Sequence, residues 1–558
     1  MLERPRPIQD PARARRMLVA ILLVLLVSAG VRLWHLDYPG EYLFDEIYYA
    51  KDAKTIVDGR VKPKPPFRWE GGDEVSWPHP EAGKFAIAAG VLLFGDRAFG
   101  WRLPAVIAGM VILACVYPLG RRLGLPPPWA FVALLLAAAD SLGIVQSRIA
   151  TLDIFIAMWT VLCIYFALRY AQDGWRDRWL FACGLAGGLA TSTKWSGGLA
   201  LIAAALVILV VWMQQRRTAV PRAAALTEHH DAGPATAADD AFFAPDPRPA
   251  DALTARQDAV SHAPAAEDSR IAASGTAAPD GPSALHRAAA LVGALVIVPA
   301  VVYVACYAQY FAAGHTLADF RELHRQMLEF NLHLKATHSY ASPSFTWILD
   351  IRPVWYYFKG DDVYRGIVAI GNPFLWWMAT LSLVAAAVLA LRHRSLLMLP
   401  AAGLVVVLYV PWFAATRTSF LYYMTPVAPF MAILVAAALC VLAGGVVPRR
   451  GWLAVLGVAL ATAVFWQPLG LLAEWLFWEL PRRIGAAAGW MGVAVGILLA
   501  LAAVAWLSSP RLAPRRPWMV MVLVGLLAGI VVAFIPVLLA LPISPEYFSH
   551  ITWFPSWV

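Results

Sequence analysis

Apolar runs long enough to cross a membrane constrain this chain more than any other feature. The first run, Met17 to Leu33, is preceded by Arg13, Arg15 and Arg16, and many comparable runs follow it. A membrane-spanning helix needs roughly 20 apolar residues. Of the 558 residues, 60% are hydrophobic and 15% are charged, with a mean hydropathy of +0.62. Because soluble domains have about 45–50% apolar and about 25% charged residues, the sequence predicts an all-α integral membrane protein.

Basic residues at the ends of the apolar runs predict how the chain crosses the membrane. The net charge of +9 follows the positive-inside pattern and does not indicate a nucleic-acid partner. No small-residue cleavage site follows the first run, so we expect an uncleaved span with residues 1–16 in the cytoplasm. Thirteen spans result if 451–467 and 484–507 both cross, and eleven if 466–483 is interfacial. The first ten predicted spans lie at about 17–34, 104–120, 128–146, 152–171, 179–193, 197–213, 288–308, 367–391, 395–412 and 420–443, and the last follows Arg515 and Arg516 before the end of the chain.

The pattern divides the chain into three parts. Residues 214–287 are rich in Ala, Asp, Pro, His and Ser, with basic flanks and almost no aliphatic periodicity, which predicts a disordered cytoplasmic insert. An N-terminal membrane module, 1–213, precedes it, and a C-terminal membrane module, 288–558, follows it. The predicted outer loops are 35–103 and 309–365; within the first, two semi-apolar pieces at about 43–57 and 82–95 are too short or too polar to span and predict interfacial helices.

Several common kinds of site have no support in the sequence. There is no Walker loop, GxGxxG or HExxH, and the outer loops carry no DxD motif. The cysteines are odd in number, lie within apolar runs and show no CxxC spacing, so neither a disulfide framework nor a zinc site is predicted. They are Cys115, Cys163, Cys183, Cys306 and Cys440.

An acidic pair, Asp45 and Glu46, follows the first span in the aromatic stretch YPGEYLFDEIYYAKDAK. If 44–55 is helical, Asp45 and Tyr49 share one face of the helix. The ordinary alternative is a solvated acid pair. Further ionisable residues gather on the predicted outer side at span ends, where they are candidates for function, although a single long basic side chain there often only reaches toward water. They are Arg32, His79, Lys84, Arg102, Arg148, Asp153, Lys194, Arg352 and Arg417.

The chemistry of these groups suits transfer from a lipid phosphate. Cations at the outer leaflet stabilise a phosphate leaving group as its bond breaks. A carboxylate beside them can take the proton of an attacking hydroxyl. Together they predict group transfer from a phospholipid-like donor to an alcohol.

The chain resembles the protein O-mannosyltransferase family, membrane glycosyltransferases of the GT-C type that use polyprenyl-phosphate-mannose. The matching pieces are VRLWHLDYP, FDEIYYAKDA, HPEAGK, the Trp101–Arg102 turn, SRIATLD, STKWSG, RPVWYYF, GNPFLWW, PWFAATRTSFLYYMTPVAPF and LPISPEYFSHITWFPSWV. Four features depart from the family pattern. Glu81 and Ala82 follow the first proline of HPEAGK, the insert 214–287 is present, spans are added near 451–507, and a short loop at 309–365 replaces the β-trefoil domain of the eukaryotic members. The short loop resembles that of the bacterial members.

The resemblance implies a role for each matched residue. Asp45 is the implied base that activates the acceptor hydroxyl, and Glu46 orients either Asp45 or the sugar. The phosphate is held by cations among Arg32, Lys84, Arg102 and Arg417, and no metal is expected. The remaining lipid-phosphate or sugar-binding residues implied by the motifs are His79, Arg148, Asp153, Lys194 and Trp195.

The resemblance also implies the reaction and its setting. Mannose passes with inversion from a polyprenyl phosphate to Ser or Thr hydroxyls of a polypeptide emerging from the secretion channel, on the outer face of a bacterial plasma membrane. One alternative is a lipid-carrier enzyme that transfers aminoarabinose to lipid A or a sugar to a cell-wall glycan. RPVWYYF and WFPSWV favour the protein acceptor. Another alternative is a transporter or lipid flippase, in which ionisable groups line a path through the membrane.

Overall fold

The computed structural model describes residues 2–66, 76–231, 284–333, 337–360, 362–393, 396–475 and 512–558. These residues form two compact units, one of residues 213–291 and one of residues 1–212 and 292–558. The larger unit contains the candidate site. The helices of the first half are α1 (Pro11–Leu33), α2 (Glu46–Val57), α3 (Ala82–Phe94), α4 (Ala98–Arg122), α5 (Pro127–Ala138), α6 (Ser141–Gln146), α7 (Leu152–Gln172), α8 (Asp177–Thr193) and α9 (Leu199–Asp231).

The second half is also largely helical, with one small sheet. Its helices are α10 (Ala284–Val292), α11 (Val298–Ala305), α12 (Ala308–Ala312), α13 (Leu317–His333), α14 (Pro373–His393), α15 (Leu399–Tyr409), α16 (Ala428–Leu442), α17 (Gly451–Val464), α18 (Gln467–Glu474), α19 (Arg516–Gly529), α20 (Val531–Leu538) and α21 (Pro545–Ile551). The strands are β1 (Val354–Gly360) and β2 (Tyr364–Ala369), which pair antiparallel.

Six helical segments in the described part of the chain are long and apolar enough to cross a membrane. They confirm the prediction of a helical, multi-span membrane protein. Residues 476–511 lie outside the described residues, so the choice between eleven and thirteen spans stays a prediction. The six segments are Pro11–Leu33, Ala98–Arg122, Leu152–Gln172, Trp195–Arg216, Leu285–Ala305 and Arg516–Leu538.

Several predicted spans begin or break at other residues than expected. The predicted span 128–146 is two helices, because the Asp140 carboxylate accepts from the Gly143 N–H at 3.0 Å and caps a new helix. The predicted span 420–443 becomes α-helical only at Ala428, and a 3₁₀ turn at Leu421–Met424 precedes it. That turn places aromatic side chains in the site.

Within the insert predicted at 214–287, α9 continues to Asp231 and α10 begins at Ala284; the boundaries of the insert stay a prediction. Residues 232–283, on which most of the predicted disorder falls, lie outside the described residues.

The predicted outer loops contain regular structure. Helices α2 and α3 form where interfacial helices were expected. The hairpin of β1 and β2 was not predicted, and it replaces the start of the span expected at 367. The Trp355 indole donates to the Trp557 carbonyl oxygen at 2.7 Å, and the Trp557 indole donates to the Asp350 carbonyl oxygen at 2.8 Å. RPVWYYF and the terminal WFPSWV, which are far apart in sequence, therefore pack together.

Glycines on α8 let it approach the segment 294–302 closely. A Cβ at Gly184 would lie 1.8 Å from the Ala294 carbonyl oxygen, and one at Gly188 would lie 2.9 Å from the Pro299 Cα. Small residues allow such close approach between membrane helices. This packing fixes the end of α8, where Lys194 enters the site.

Candidate active site

Asp45 stands at the N-terminus of α2, directly after a strained residue. Phe44 has φ +46, in the left-handed region that a non-glycine residue rarely adopts. Such a conformation costs about 1–3 kcal/mol and persists where surrounding contacts hold it. The Glu46 carboxylate accepts from the Leu43 N–H at 2.9 Å and so closes the turn around Phe44. As a result Asp45 faces away from the helix cap, and its carboxylate makes no capping bond.

Glu46 and Arg102 form a buried pair that fixes this turn. The Arg102 guanidinium donates to both Glu46 carboxylate oxygens at 2.8 Å. Its other N–H groups donate to the carbonyl oxygens of Leu36, Pro39 and Glu41. Glu46 also accepts from the Ala150 N–H at 2.9 Å. All five Arg102 donors are therefore used within the protein, and both side chains anchor the loop that carries Asp45.

The Asp45 carboxylate lies in a pocket of aromatic and charged groups. The Tyr422 hydroxyl donates to it at 3.4 Å. Burial raises the pKa of Asp45 to about 7, and Lys194 partly offsets this effect. A carboxylate with this pKa is half-ionised near neutral pH and is suited to accept a proton there.

Lys194 is the cation whose geometry near Asp45 is best defined. Its Nζ lies 3.3 Å and 3.5 Å from the two carboxylate oxygens of Asp153. It also lies 3.9 Å from the ring centre of Tyr423, a favourable cation–π distance. The ammonium is held between an acid and an aromatic face, with 6% of the residue exposed.

Arg417 and His79 lie close to Lys194 in the pocket. Arg417 is half-buried and donates to the Asn331 side-chain oxygen. Burial lowers the pKa of His79 well below its usual value, and repulsion from Lys194 and Arg417 lowers it further. His79 is therefore neutral at physiological pH and offers a hydrogen bond rather than a charge.

Aromatic rings form one wall of the pocket around Phe44. The ring of Phe44 lies 4.8 Å from Tyr356, 5.8 Å from Tyr422 and 6.2 Å from Phe420, measured between ring centres. Aromatic faces provide contact area with few rotatable bonds. This wall suits a sugar or an acceptor side chain held next to Asp45.

Other predicted site residues lie outside this pocket, because their polar atoms serve internal contacts. Lys84 is fully buried and contacts Asp52 at 3.0 Å and Glu81 at 3.6 Å. A further contact of Lys84 is with the Ser76 carbonyl oxygen. These contacts use its three N–H donors and make it an anchor of the HPEAGK turn.

Arg32 and Arg148 are buried at the C-terminal end of α1. Arg148 donates to the carbonyl oxygens of Val31 at 3.0 Å, Arg32 at 2.7 Å and His35 at 3.4 Å. Arg32 is 1% exposed and donates to the Ser28 carbonyl oxygen at 3.2 Å. Arg148 satisfies the open carbonyl groups at the end of α1, so its guanidinium binds the backbone. In the part of the chain that the structure describes, Arg32 makes this one side-chain hydrogen bond, and its buried Nε has no partner.

Trp195 contributes by contact with its neighbours. Trp195 follows Lys194 in the chain, and its indole N–H donates to the Tyr303 hydroxyl at 2.8 Å. Several residues of the pocket were not among the predicted site residues: Phe44, Asn331, Tyr356, Phe420, Tyr422 and Tyr423. Tyr422 and Tyr423 lie in the matched piece PWFAATRTSFLYYMTPVAPF, where two adjacent tyrosines after Arg417 were the available signal.

Curated and solved proteins are similar to this chain, two of the following three over most of its length. A "Polyprenol-phosphate-mannose--protein mannosyltransferase" of Mycolicibacterium smegmatis is 26% identical over 480 residues, covering 74% of this chain and 80% of the relative. An "Undecaprenyl phosphate-alpha-4-amino-4-deoxy-L-arabinose arabinosyl transferase" of Pseudomonas aeruginosa is 33% identical over 186 residues, 31% of each chain. The protein O-mannosyltransferase Pmt1-Pmt2 complex of S. cerevisiae gives a TM-score of 0.62 at 12% identity, covering 97% of this chain and 93% of the solved chain.

The fold and the pocket define a membrane glycosyltransferase of the GT-C type. Residues 78–227 match the model of dolichyl-phosphate-mannose-protein mannosyltransferases, and residues 316–473 match that of the C-terminal four-span region of protein-O-mannosyltransferases. The chain belongs to the protein O-mannosyltransferase family.

Proposed function

We propose that the protein transfers mannose from polyprenyl-phosphate-mannose to Ser or Thr hydroxyls of polypeptides, with inversion at the sugar. The observation that carries the proposal is the Asp45 carboxylate, which has a pKa of about 7 and lies in an aromatic pocket beside Lys194 and Arg417. The M. smegmatis relative, named for this donor and for protein mannosylation, supports the same donor and acceptor.

In the proposed reaction Asp45 acts as the general base. The acceptor oxygen attacks the anomeric carbon of mannose while its proton passes to the Asp45 carboxylate. The bond between the anomeric carbon and the phosphate oxygen breaks on the opposite face, so a β-linked donor gives an α-linked product. The released polyprenyl phosphate carries away the bonding electrons.

Lys194 and Arg417 are the proposed partners of the phosphate. The leaving group gains negative charge in the transition state, and cations already in place stabilise it there. This assignment replaces Lys84 and Arg102, whose donors bind groups of the protein itself, and Arg32, which is 1% exposed and donates to the Ser28 carbonyl oxygen. A neutral His79 can add a hydrogen bond to the phosphate or the sugar.

We further propose that the reaction proceeds without a metal and on the outer face of a bacterial plasma membrane. The donor is a monophosphate, and the two side-chain cations match its charge in the transition state. The basic residues at the predicted inner ends of the spans support a site on the outer side. An acceptor polypeptide emerging from the secretion channel would reach it there.

A second candidate is transfer of aminoarabinose to lipid A. The 33% identity to the P. aeruginosa arabinosyl transferase favours it, although the match covers 31% of each chain. Both candidates use a lipid-linked donor and differ in the sugar and in the acceptor.

The test is a transfer assay in membranes that contain the full chain. Labelled polyprenyl-phosphate-mannose is incubated with a Ser/Thr-rich peptide, and parallel reactions offer lipid A with labelled undecaprenyl-phosphate-aminoarabinose. Glu329→Gln, an exposed substitution on α13, serves as the matched active control. Label in the peptide supports mannosyl transfer to protein, whereas label in lipid A alone supports the second candidate and contradicts the first.

A further inference from the structure

Helix α13 contacts each of the three chain segments that bring the proposed phosphate-binding groups to the pocket. These segments contain His79, Lys194 and Arg417. The buried side chains of Leu323 and Met327 pack with Trp77 and Tyr307. This core holds the helix against the protein, so its polar side chains reach the pocket from a fixed backbone.

Asn331, near the C-terminal end of α13, links two of the three segments. Its side-chain nitrogen donates to the Pro78 carbonyl oxygen at 3.1 Å, one residue before His79. The same nitrogen donates to the Met327 carbonyl oxygen at 2.8 Å. Its side-chain oxygen accepts from the Arg417 guanidinium.

The two carbonyl partners determine which way the amide points. Carbonyl oxygens accept only, so the NH₂ group of Asn331 must face Pro78 and Met327. The amide oxygen is therefore left to face Arg417. A carboxylate of similar size at this position could not donate to either carbonyl and would add a negative charge beside the guanidinium.

The third segment is tied to α13 by a separate chain of hydrogen bonds. His324 Nδ1 lies 2.7 Å from the Phe320 carbonyl oxygen and therefore carries the proton, which leaves Nε2 as an acceptor. Nε2 lies 2.8 Å from the Tyr303 hydroxyl, and that hydroxyl accepts from the Trp195 indole at 2.8 Å. Trp195 adjoins Lys194, so one helix locates both proposed phosphate cations.

We propose that Asn331 is a positioning residue for the donor phosphate, which holds Arg417 and the backbone before His79 in the arrangement that binds the phosphate. The proposal rests on the proposed function in taking a lipid phosphate as the ligand. Asn331 acts through Arg417 and does not itself touch the reacting atoms. Its loss therefore weakens phosphate binding and, through Arg417, also reduces the stabilisation of the leaving phosphate.

The proposal is tested by measuring how undecaprenyl phosphate binds to the purified full chain. Binding is measured by thermal-shift titration. The variants are Asn331→Leu and Asn331→Asp, Arg417→Gln alone, and Asn331→Leu with Arg417→Gln. Glu329→Gln lies on the same helix, is paired only with the exposed Arg325 and serves as the control. The KM for the donor and kcat are measured in parallel.

We expect both Asn331 variants to weaken undecaprenyl phosphate binding about ten- to a hundredfold, the range for lost hydrogen bonds to a charged group. The KM should rise by a similar factor, and kcat should also fall, because Arg417 is proposed to stabilise the charge that the phosphate gains in the transition state. In the Arg417→Gln background, Asn331→Leu should have little further effect.

Unchanged binding in both Asn331 variants, a loss confined to kcat, or full additivity with Arg417→Gln would each overturn the proposal. If the wild-type chain binds undecaprenyl phosphate with the expected dependence on Asn331 but does not mannosylate peptides, the positioning role stands and the proposed function fails. A wild-type chain that does not bind undecaprenyl phosphate contradicts both.

Discussion

Replacing Asp45 with Asn removes the ionisable carboxyl and should raise the free energy of unfolding. Burial raises the pKa of Asp45 from 3.8 to about 7. Each unit corresponds to about 1.4 kcal/mol, so above pH 7 the ionised carboxylate destabilises the fold by up to about 4 kcal/mol. The side chain is half-buried, and solvent screening reduces this figure.

The sign of the pH dependence of stability follows from the number of protons bound by Asp45 in the folded and unfolded states. Between about pH 4 and pH 7 the folded carboxyl holds a proton that the unfolded carboxyl has lost. The contribution of Asp45 to stability therefore falls as pH rises through this window and stays unfavourable above it. Asn does not titrate, so the stability advantage of Asp45→Asn over the wild type should grow from pH 5 to pH 8.

The assay is thermal unfolding of both proteins in the same detergent at pH 5 and pH 8, with Glu329→Gln as the control. We expect Asp45→Asn to unfold at a higher temperature, with the larger difference at pH 8. The reasoning that desolvation destabilises the ionised Asp45 carboxylate would be refuted by either of two results. One is a variant no more stable than the wild type at pH 8, and the other is a stability difference that does not change with pH.

The remaining predictions concern the pH profile, the anchor of the turn and metal dependence. The kcat/KM should rise about tenfold per pH unit below about pH 7 and level off above it, because the base must be ionised; a profile flat from pH 5 to 8 would contradict this. Glu46→Gln breaks a buried ion pair and should lower the free energy of unfolding by about 3–5 kcal/mol, measured by denaturant titration; a stability like that of the wild type would contradict the anchoring role. EDTA should leave transfer unchanged, since side chains carry the proposed phosphate contacts; loss of activity that added Mg²⁺ restores would show otherwise.

The membrane fold was predictable because its signals are local. A run such as Met17 to Leu33 carries its own length and hydropathy, and α1 forms there. The hairpin of β1 and β2 gave a weaker signal, since the aromatic residues of RPVWYYF suit an interfacial loop as well as a strand. Its stability depends on contacts with Trp557, about 200 residues later.

The site was predictable in part for a related reason. Asp45, Asp153, Lys194 and Arg417 stand in recognisable motifs, and the structure brings them together. The same motifs supplied Arg102, but no sequence pattern showed that its five donors are used by Glu46 and three carbonyl groups. Whether an arginine at a span end binds a ligand or the backbone depends on the folded loop around it.

Asn331 shows the limit of such reasoning. It lies on an amphipathic helix with no motif around it, and its partners at Pro78 and Arg417 are 253 and 86 residues away in the chain. Only the fold makes this residue part of the pocket.

The central claim is that Asp45 takes the proton of a polypeptide hydroxyl as mannose leaves the lipid phosphate. Its most direct test is single-turnover transfer from β-linked polyprenyl-phosphate-mannose to a Ser/Thr-rich peptide, with the anomeric linkage of the product determined. The account predicts an α-linked product from the wild type and a rate lower by a factor of about 10² to 10⁴ for folded Asp45→Asn. A β-linked product, or a variant as fast as the wild type, would contradict it.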